Sequence, residues 1–298
     1  MGRVNFEVGE LYRNRIGFYE VMEINGDKMK VRYLTDRTET TLSKSIQDTI
    51  VGNIRLEEER KGRSIALIAK DRETFFYYVD VCKKEYRSAH DLSLYRGIIA
   101  RHRSSTGLDS LLDSDDFHNA IWETLKAWNM DQRGAELTTL PKLRTSILSN
   151  RGKLVALSKY KLDSLTDTNT NAIVLPILRS LFLGLHVMES KRRIVGVSKT
   201  LHFLLPDLVM PIDGTYTLPY FYGYNRYDST PKGECSTFEN IFKETLRITE
   251  QLHLTPMDAS GHGWNTAVPK LIDNAIIGLF KDIERLLNAK RDGLQQRE

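Results

Sequence analysis

The apolar residues of this chain change their spacing once, near residue 55, and this change limits the possible folds more than any other feature. In residues 28–34, Met29, Val31 and Tyr33 alternate with basic residues, which is the period of a half-buried strand. From Ile65 onward the apolar residues recur every three or four positions, as on the buried face of a helix. The pattern predicts an α+β fold in which a small β region precedes a mainly α-helical one.

Turn signals divide residues 6–54 into short strands. Asn25-Gly26 indicates a hairpin because both residues tolerate a positive φ. Residues 35–38 form a second predicted turn, and residues 39–42 a further short strand. Several short strands with tight turns favour a closed barrel, since closure removes exposed strand edges. We therefore predict an SH3-like or Tudor-like β-barrel in residues 1–55.

The helical region follows a strongly charged segment. Residues 55–64 are nearly all charged and are equally compatible with a solvated linker and with the first turns of a helix. The acidic pair at 115–116 predicts a helix N-terminus, because negative charge is favourable at that end of the helix dipole. The last long helix is expected over residues 268–287. We predict a helical domain in residues 64–292.

The composition excludes several classes of site. The chain has only two cysteines, Cys82 and Cys235, which are too few for a Cys-only zinc site or an iron–sulfur cluster. The seven histidines show no HExxH spacing, and we expect neither a metal nor a cofactor. No apolar run is long enough for a membrane helix, and the first residues do not have the pattern of a secretory signal. We expect a cytoplasmic monomer without membrane association.

Residues 195–216 carry the strongest candidate for chemistry. A turn around Gly196 is predicted to open a helix at Lys199-Thr200, with Ser198 as its cap and its end near Pro206. Free backbone N–H groups at such a helix start can hold a phosphate, and Lys199 adds positive charge. An apolar segment then leads to Asp213, whose partial burial is expected to raise its pKa. On local pattern alone, a plain cap of the next helix is the favoured interpretation of Asp213.

The order of these residues resembles the helix-hairpin-helix DNA glycosylases, of the endonuclease III and alkyl-adenine glycosylase kind. The similarity covers about residues 122–217 and would make the chain a divergent bacterial member with an added N-terminal barrel. It implies a helix-hairpin-helix domain whose hairpin, here Gly196, Ser198 and Thr200, grips the DNA backbone. It also implies that Asp213 is the catalytic aspartate and that Lys199 corresponds to the lysine that forms a Schiff base in bifunctional members.

Aromatic and polar residues near these positions suit the same function. Tyr216, Tyr220 and Tyr222 follow Asp213 closely, and with Trp128 they could stack on an extruded base; the alternative is a packed aromatic core. Residues 129–133 follow a predicted amphipathic helix, and such a loop inserts a polar wedge into the duplex in the resembling family. The candidate wedge residues are Asn129, Gln132 and Arg133, and the alternative is an ordinary connection between helices.

Two further segments are weaker candidates. Arg192 and Arg193 belong to a basic run that could contact phosphates, although such runs are commonly solvated surface. Residues 260–265 contain His262 and Trp264 among glycines, and this turn either closes over a pocket or lies on the surface.

These expectations lead to one preferred function. The chain is predicted to be a monofunctional DNA glycosylase that hydrolyses the N-glycosidic bond of a flipped, modified or damaged base in double-stranded DNA. The product is an abasic site, and defence against foreign DNA is a conceivable use. The alternatives are a nucleic-acid-binding protein without catalysis and a protein-interaction module.

Overall fold

A computed structural model describes residues 4–14, 16–34, 37–86, 88–132, 134–223 and 228–295, with side chains left undescribed in 55–66 and 289–295. The chain divides into two compact units, Met1–Ser64 and Ile65–Glu298. The fold is α+β, with strands in the first unit and helices throughout the second.

Four antiparallel strands form the sheet of the first unit, in the order β1-β2-β3-β4. The strands are β1 (Leu11–Arg13), β2 (Phe18–Asn25), β3 (Lys28–Tyr33) and β4 (Glu39–Ser43). The alternation predicted for β3 is confirmed, because Met29, Val31 and Tyr33 are buried while Lys28 and Lys30 are exposed. The apolar face of the sheet therefore forms the core of this unit.

The hairpin between β2 and β3 lies one residue later than Asn25-Gly26. Asn25 pairs with Lys28, so Gly26 and Asp27 occupy the turn, and Gly26 has a φ of 58°. Glycine adopts this left-handed conformation without the steric cost that a Cβ brings. Of the predicted second turn, residues 35 and 36 lie outside the described residues, while β4 forms where residues 39–42 were predicted to be extended.

A helix replaces the last part of the predicted β region. Helix α1 (Lys44–Ile68) begins eleven residues before the charged segment 55–64 and includes all of it. The prediction of β structure up to residue 54 is therefore wrong for residues 44–54, and the open question about residues 55–64 is answered by a helix. The boundary between the two units falls within α1.

The second unit is built from helices of very different length. They are α2 (Arg72–Glu85), α3 (Ala89–Ser104), α4 (Leu108–Leu111), α5 (Asp115–Ala127), α6 (Leu140–Ser149), α7 (Arg151–Leu157), α8 (Asp167–Asn169), α9 (Leu175–Gly184), α10 (Ile194–Leu204), α11 (Thr217–Tyr222), α12 (Pro231–Gln251) and α13 (Val268–Gln295). A π-helical segment, Thr170–Val174, joins α8 to α9, and short 3₁₀ turns cover Leu162–Ser164 and Pro256–Asp258.

Local signals predicted several of these helices. The side chain of Ser114 accepts a hydrogen bond from Phe117 N and caps α5, whose first turn carries Asp115 and Asp116 as expected. Helix α13 begins at Val268 as predicted but continues to Gln295. It packs on α2 so closely that a Cβ at Gly278 would collide with the carbonyl oxygen of Tyr78.

None of the described helices combines the length and apolar character that a membrane crossing requires.

Candidate active site

Helix α10 begins five residues before the predicted position. It spans Ile194–Leu204, and Val197 N bonds to Arg193 O at 2.9 Å inside the helix. The first turn is capped from elsewhere: both carboxylate oxygens of the fully buried Glu234 accept from Arg193 N, at 2.9 and 3.2 Å. The predicted phosphate site at free N–H groups of this helix start is therefore wrong, because the helix start already holds a carboxylate.

Ser198 and Thr200 lie inside α10 and do not reach the surface, since both are 0% exposed. Thr200 Oγ1 donates to Gly196 O at 2.9 Å. Ser198 Oγ donates to Val195 O at 3.0 Å and accepts from Ile212 N at 3.1 Å. Neither residue is available for the predicted contact with DNA. Ser198 instead fixes the backbone that comes directly before Asp213.

Asp213 connects two parts of the site through its two carboxylate oxygens. Oδ1 accepts from Thr215 N at 2.7 Å and from Tyr216 N at 3.3 Å. Oδ2 faces the ammonium of Lys199 at 3.3 Å. The Asp213 side chain is 30% exposed and that of Lys199 is 7% exposed. The capping role and the charged role, considered above as alternatives, are thus combined in one residue.

The pKa of Asp213 is shifted downward and not upward as predicted. Burial opposes ionisation, but Lys199 and the N–H groups of Thr215 and Tyr216 outweigh it and hold the pKa below its usual value. Opposite charge and hydrogen bonds to the charged form both favour a carboxylate. Asp213 is consequently an anion at neutral pH.

A cavity of about 490 Å³ opens at this pair and brings together residues from three separate segments. Trp128 and the loop after α5 form one side, Arg192 and the start of α10 another, and Asp213 to Thr215 a third. The Lys199 ammonium lies 5.2 Å from the centre of the Trp128 ring. Five predicted site residues besides the Lys199–Asp213 pair line the cavity: Trp128, Asn129, Gln132, Arg192 and Gly196.

The tyrosines after Asp213 do not belong to the described lining of this cavity. Tyr220 is only 2% exposed, and Tyr216 packs edge-on against Phe280 at 5.9 Å. Tyr222 is half-buried against the helical core. The predicted tyrosine wall is therefore wrong, because Tyr220 is buried and Tyr216 and Tyr222 pack against the helical core. Trp128 is the one aromatic ring in the described lining of the cavity.

The two arginines of the basic run have different positions. Arg192 is exposed at the cavity. Arg193 turns inward, and its Nη2 donates to Phe182 O at 2.8 Å and to Leu185 O at 3.0 Å. These are carbonyls at the C-terminus of α9, so Arg193 caps that helix and the predicted DNA contact is wrong for it. Arg133 lies outside the described residues.

A second buried ion pair lies close to the first and was missed by the sequence analysis. Lys270 Nζ bonds to Asp273 Oδ2 on adjacent turns of α13, with both side chains almost fully buried. The Lys270 ammonium lies 5.1 Å from the centre of the Trp264 ring, and Trp264 packs on Trp128. The sequence signal that could have revealed this pair was two opposite charges three residues apart in an otherwise apolar helix.

His202 is a structural residue beside these pairs. Its Nδ1 donates to Val209 O at 2.6 Å, so its Nε2 accepts from the Tyr95 hydroxyl at 3.0 Å. Burial lowers the pKa of His202 to about 3, and a neutral ring suits both bonds. Among the described residues, no cluster of histidine, cysteine or acidic side chains has the arrangement to hold a metal ion.

In comparisons with known proteins, no family model, curated protein or solved structure gives a significant match to this chain.

Proposed function

We propose that this protein is a monofunctional DNA glycosylase that hydrolyses the N-glycosidic bond of a flipped, modified or damaged base. The observation that supports this proposal is the meeting of Lys199, Asp213 and Trp128 at one cavity, although Trp128 lies far from the other two residues in the sequence. A cavity of about 490 Å³ is in the range that ligand-sized groups occupy. Base-excising enzymes turn their target out of the stack into such a cavity.

In the proposed mechanism, Asp213 acts through its charge. When the C–N bond breaks, the base leaves with the bonding electron pair and positive charge develops on the sugar. An ionised carboxylate fixed in a poorly solvated site stabilises that charge until water adds to the sugar carbon and gives up its proton to the departing base. Thr215 N and Tyr216 N hold one oxygen in place, so little reorganisation is needed during the reaction. The other oxygen faces Lys199 and lies where substrate can compete for it.

Lys199 has a binding role in this proposal and not a nucleophilic one. A Schiff base requires a neutral amine, whereas Lys199 is paired with Asp213 and lies over the Trp128 ring, both of which are contacts of a cation. A phosphate of the substrate would replace Asp213 as the partner of Lys199. This exchange would release the Asp213 oxygen toward the sugar.

The mouth of the cavity suits a nucleic acid. Asn129 and Gln132 are exposed on the loop after α5 and would fill the gap that a flipped base leaves. Arg192 would contact a phosphate. Trp128 would stack on the extruded base, a contact worth roughly 1–3 kcal/mol.

The proposal includes the finer description of both units. The four-stranded sheet would close as an SH3-like or Tudor-like barrel and give an accessory grip on DNA or a partner through Lys28, Lys30 and Arg32. The helical unit would be a divergent helix-hairpin-helix domain. The biological role would be the removal of modified or damaged bases, including those of foreign DNA.

One observation favours a second candidate function, binding of nucleic acid without catalysis. Both oxygens of Asp213 already have partners within the protein, so the pair could serve only to fix the loop before α11. The same cavity would then hold a base or a strand end without breaking a bond. A protein-interaction module without nucleic acid requires neither the cavity nor Arg192.

The test is a base-release assay on duplexes that carry a panel of modified and damaged bases. We expect release from at least one duplex, loss of release in Asp213→Asn, and no covalent adduct on borohydride reduction. Tight duplex binding without release on any substrate would favour the binding function. An adduct that Lys199→Ala abolishes would instead show lyase chemistry.

A further inference from the structure

A second cavity, of about 390 Å³, lies on another side of the same aromatic cluster. It is formed by the end of α2, the start of α3, the turn at residues 262–265 and one residue of α13. Trp264 lines this cavity and packs on Trp128, which lines the first, with ring centres 6.2 Å apart. The two cavities therefore share a wall, but their described linings have no residue in common.

A buried amide in this cavity has an unused hydrogen-bonding atom. Asn274 is 1% exposed, and its Nδ2 donates to Asn265 Oδ1 at 2.8 Å. Its Oδ1 has no hydrogen-bond partner among the described residues. Buried polar atoms are almost always paired, so an unpaired one requires an explanation. A ligand that donates an N–H to Asn274 Oδ1 would supply the missing partner.

The cavity also presents aromatic surface. Tyr86 and Trp264 meet with ring centres 5.6 Å apart and planes at 71°, and Tyr86 is only half-buried. Two rings at this angle form a corner that a planar group can enter, with one face against one ring and an edge against the other. The group that bonds to Asn274 is thus expected to be a flat ring.

Another part of the cavity lining suits an anion. Ser88 and Ala89 line it at the N-terminus of α3, where Ser88 Oγ accepts from Asp91 N at 3.4 Å. The N–H groups of Ala89 and His90 have no partner within the helix, as in any first turn, and the helix dipole favours negative charge there. Lys83, exposed at the same cavity, adds a mobile positive charge.

These three features select one ligand chemistry. The geometry points to a binding site for a nucleoside phosphate, with the base at Trp264 and Tyr86, an exocyclic amino group on Asn274, and the phosphate at Lys83 and the start of α3. The ligand is either a free mononucleotide or one nucleotide of a strand, because both present the same groups. This site does not depend on catalysis at Asp213.

The first experiment compares three small ligands by isothermal titration calorimetry on the full chain. Adenosine monophosphate is expected to bind. Adenosine, which lacks the phosphate, and purine riboside monophosphate, which lacks the amino group, are each expected to bind about tenfold more weakly. Equal affinity for all three ligands, or no binding of any of them or of a strand, would overturn the assignment.

The second experiment places the ligand in this cavity. Lys83→Gln is expected to weaken adenosine monophosphate binding about threefold or more, as the loss of an exposed charge contact does, and to leave adenosine unaffected. Lys84→Gln is the matched control, since Lys84 is the next residue, is exposed, and is not among the described lining residues. If Arg192→Gln weakens adenosine monophosphate binding and Lys83→Gln does not, the ligand lies in the Asp213 cavity and the proposal is refuted.

The third comparison distinguishes the two sources of the ligand and tests Asn274. A single-stranded adenine oligonucleotide that binds through Lys83, while the mononucleotide does not, would identify a strand contact; the reverse would identify a free nucleotide. Asn274→Leu is expected to abolish the preference for adenosine monophosphate over purine riboside monophosphate. If that variant does not fold, the preference of the unaltered chain decides the same point.

Discussion

Two lysine–aspartate pairs lie near the same aromatic cluster, and they differ in access to solvent. Lys199 and Asp213 meet at 3.3 Å beside a cavity, with the Asp213 side chain 30% exposed. Lys270 and Asp273 are sealed within the protein, with exposures of 4% and 5%. Each lysine lies above a tryptophan ring, at 5.2 Å from Trp128 and 5.1 Å from Trp264 respectively.

The difference in access to solvent shifts the pKa values of the two carboxylates in opposite directions. At Asp273 burial dominates and raises the pKa despite Lys270. At Asp213 burial is outweighed by Lys199 and two backbone N–H groups, and the pKa is lowered. The sealed pair joins two adjacent turns of α13 and has a structural role, whereas the pair at the cavity offers an ionised oxygen that substrate can reach.

Breaking the sealed pair should have the largest effect on stability. Lys270→Met leaves Asp273 buried without a partner, and removing one member of such a pair typically costs about 3–5 kcal/mol. Urea unfolding would measure the loss. The double variant Lys270→Met/Asp273→Leu should recover most of it, because no buried charge remains. A single variant as stable as the unaltered protein would mean that Asp273 finds water or another partner.

Asp213→Asn should affect activity more than stability. Asparagine keeps an oxygen for Thr215 N and Tyr216 N and is as good a capping residue as aspartate, but it carries no charge. If Asp213 stabilises the cationic sugar, base release should fall about 10²–10³-fold, or about 2.7–4 kcal/mol. The control is Asp207→Asn, an exposed carboxylate between α10 and Asp213, which should remain active. Full activity of Asp213→Asn would refute a catalytic role.

Lys199→Met should destabilise the protein less than Lys270→Met. Asp213 keeps two hydrogen bonds and partial access to water, so losing the lysine should cost only about 1–2 kcal/mol. Unfolding of the two single variants under the same conditions gives the comparison. Equal losses would mean that the pair at the cavity is as structural as the sealed one. DNA affinity should also fall in Lys199→Met if Lys199 binds a phosphate.

The smallest predicted effect is on the pH dependence of stability, which should differ in direction between Asp213 and Asp273. Asp213 has a lowered pKa in the folded protein, so its contribution is present above about pH 4 and is lost as the pH falls through that lowered pKa. Asp273 has a raised pKa, so its contribution is greatest at low pH and declines as the pH rises through its folded value. Unfolding curves for Asp213→Asn and the unaltered chain should therefore converge below about pH 4. Curves that diverge there would contradict the assigned direction.

The sequence predicted elements whose signals are local. The alternation in β3 and the acidic N-terminus of α5 involve residues within a few positions of each other, and the structure confirms both. The start of α10 could not be located in this way, because Glu234 caps it from 41 positions away along the chain. The same limit applies to Tyr220, whose burial depends on what α11 packs against.

The sequence by itself determined which chemical groups were present and where helical or extended spacing dominates, since periodicity and residue type are properties of short segments. It placed Asp213, Lys199 and Trp128 among the candidates for one site. Only the tertiary structure decided that Lys199–Asp213 faces a cavity while Lys270–Asp273 is sealed. Solvent access depends on how distant segments pack around each pair. Access in turn decides whether burial or the neighbouring charge dominates the pKa of each carboxylate, and whether a substrate can reach it.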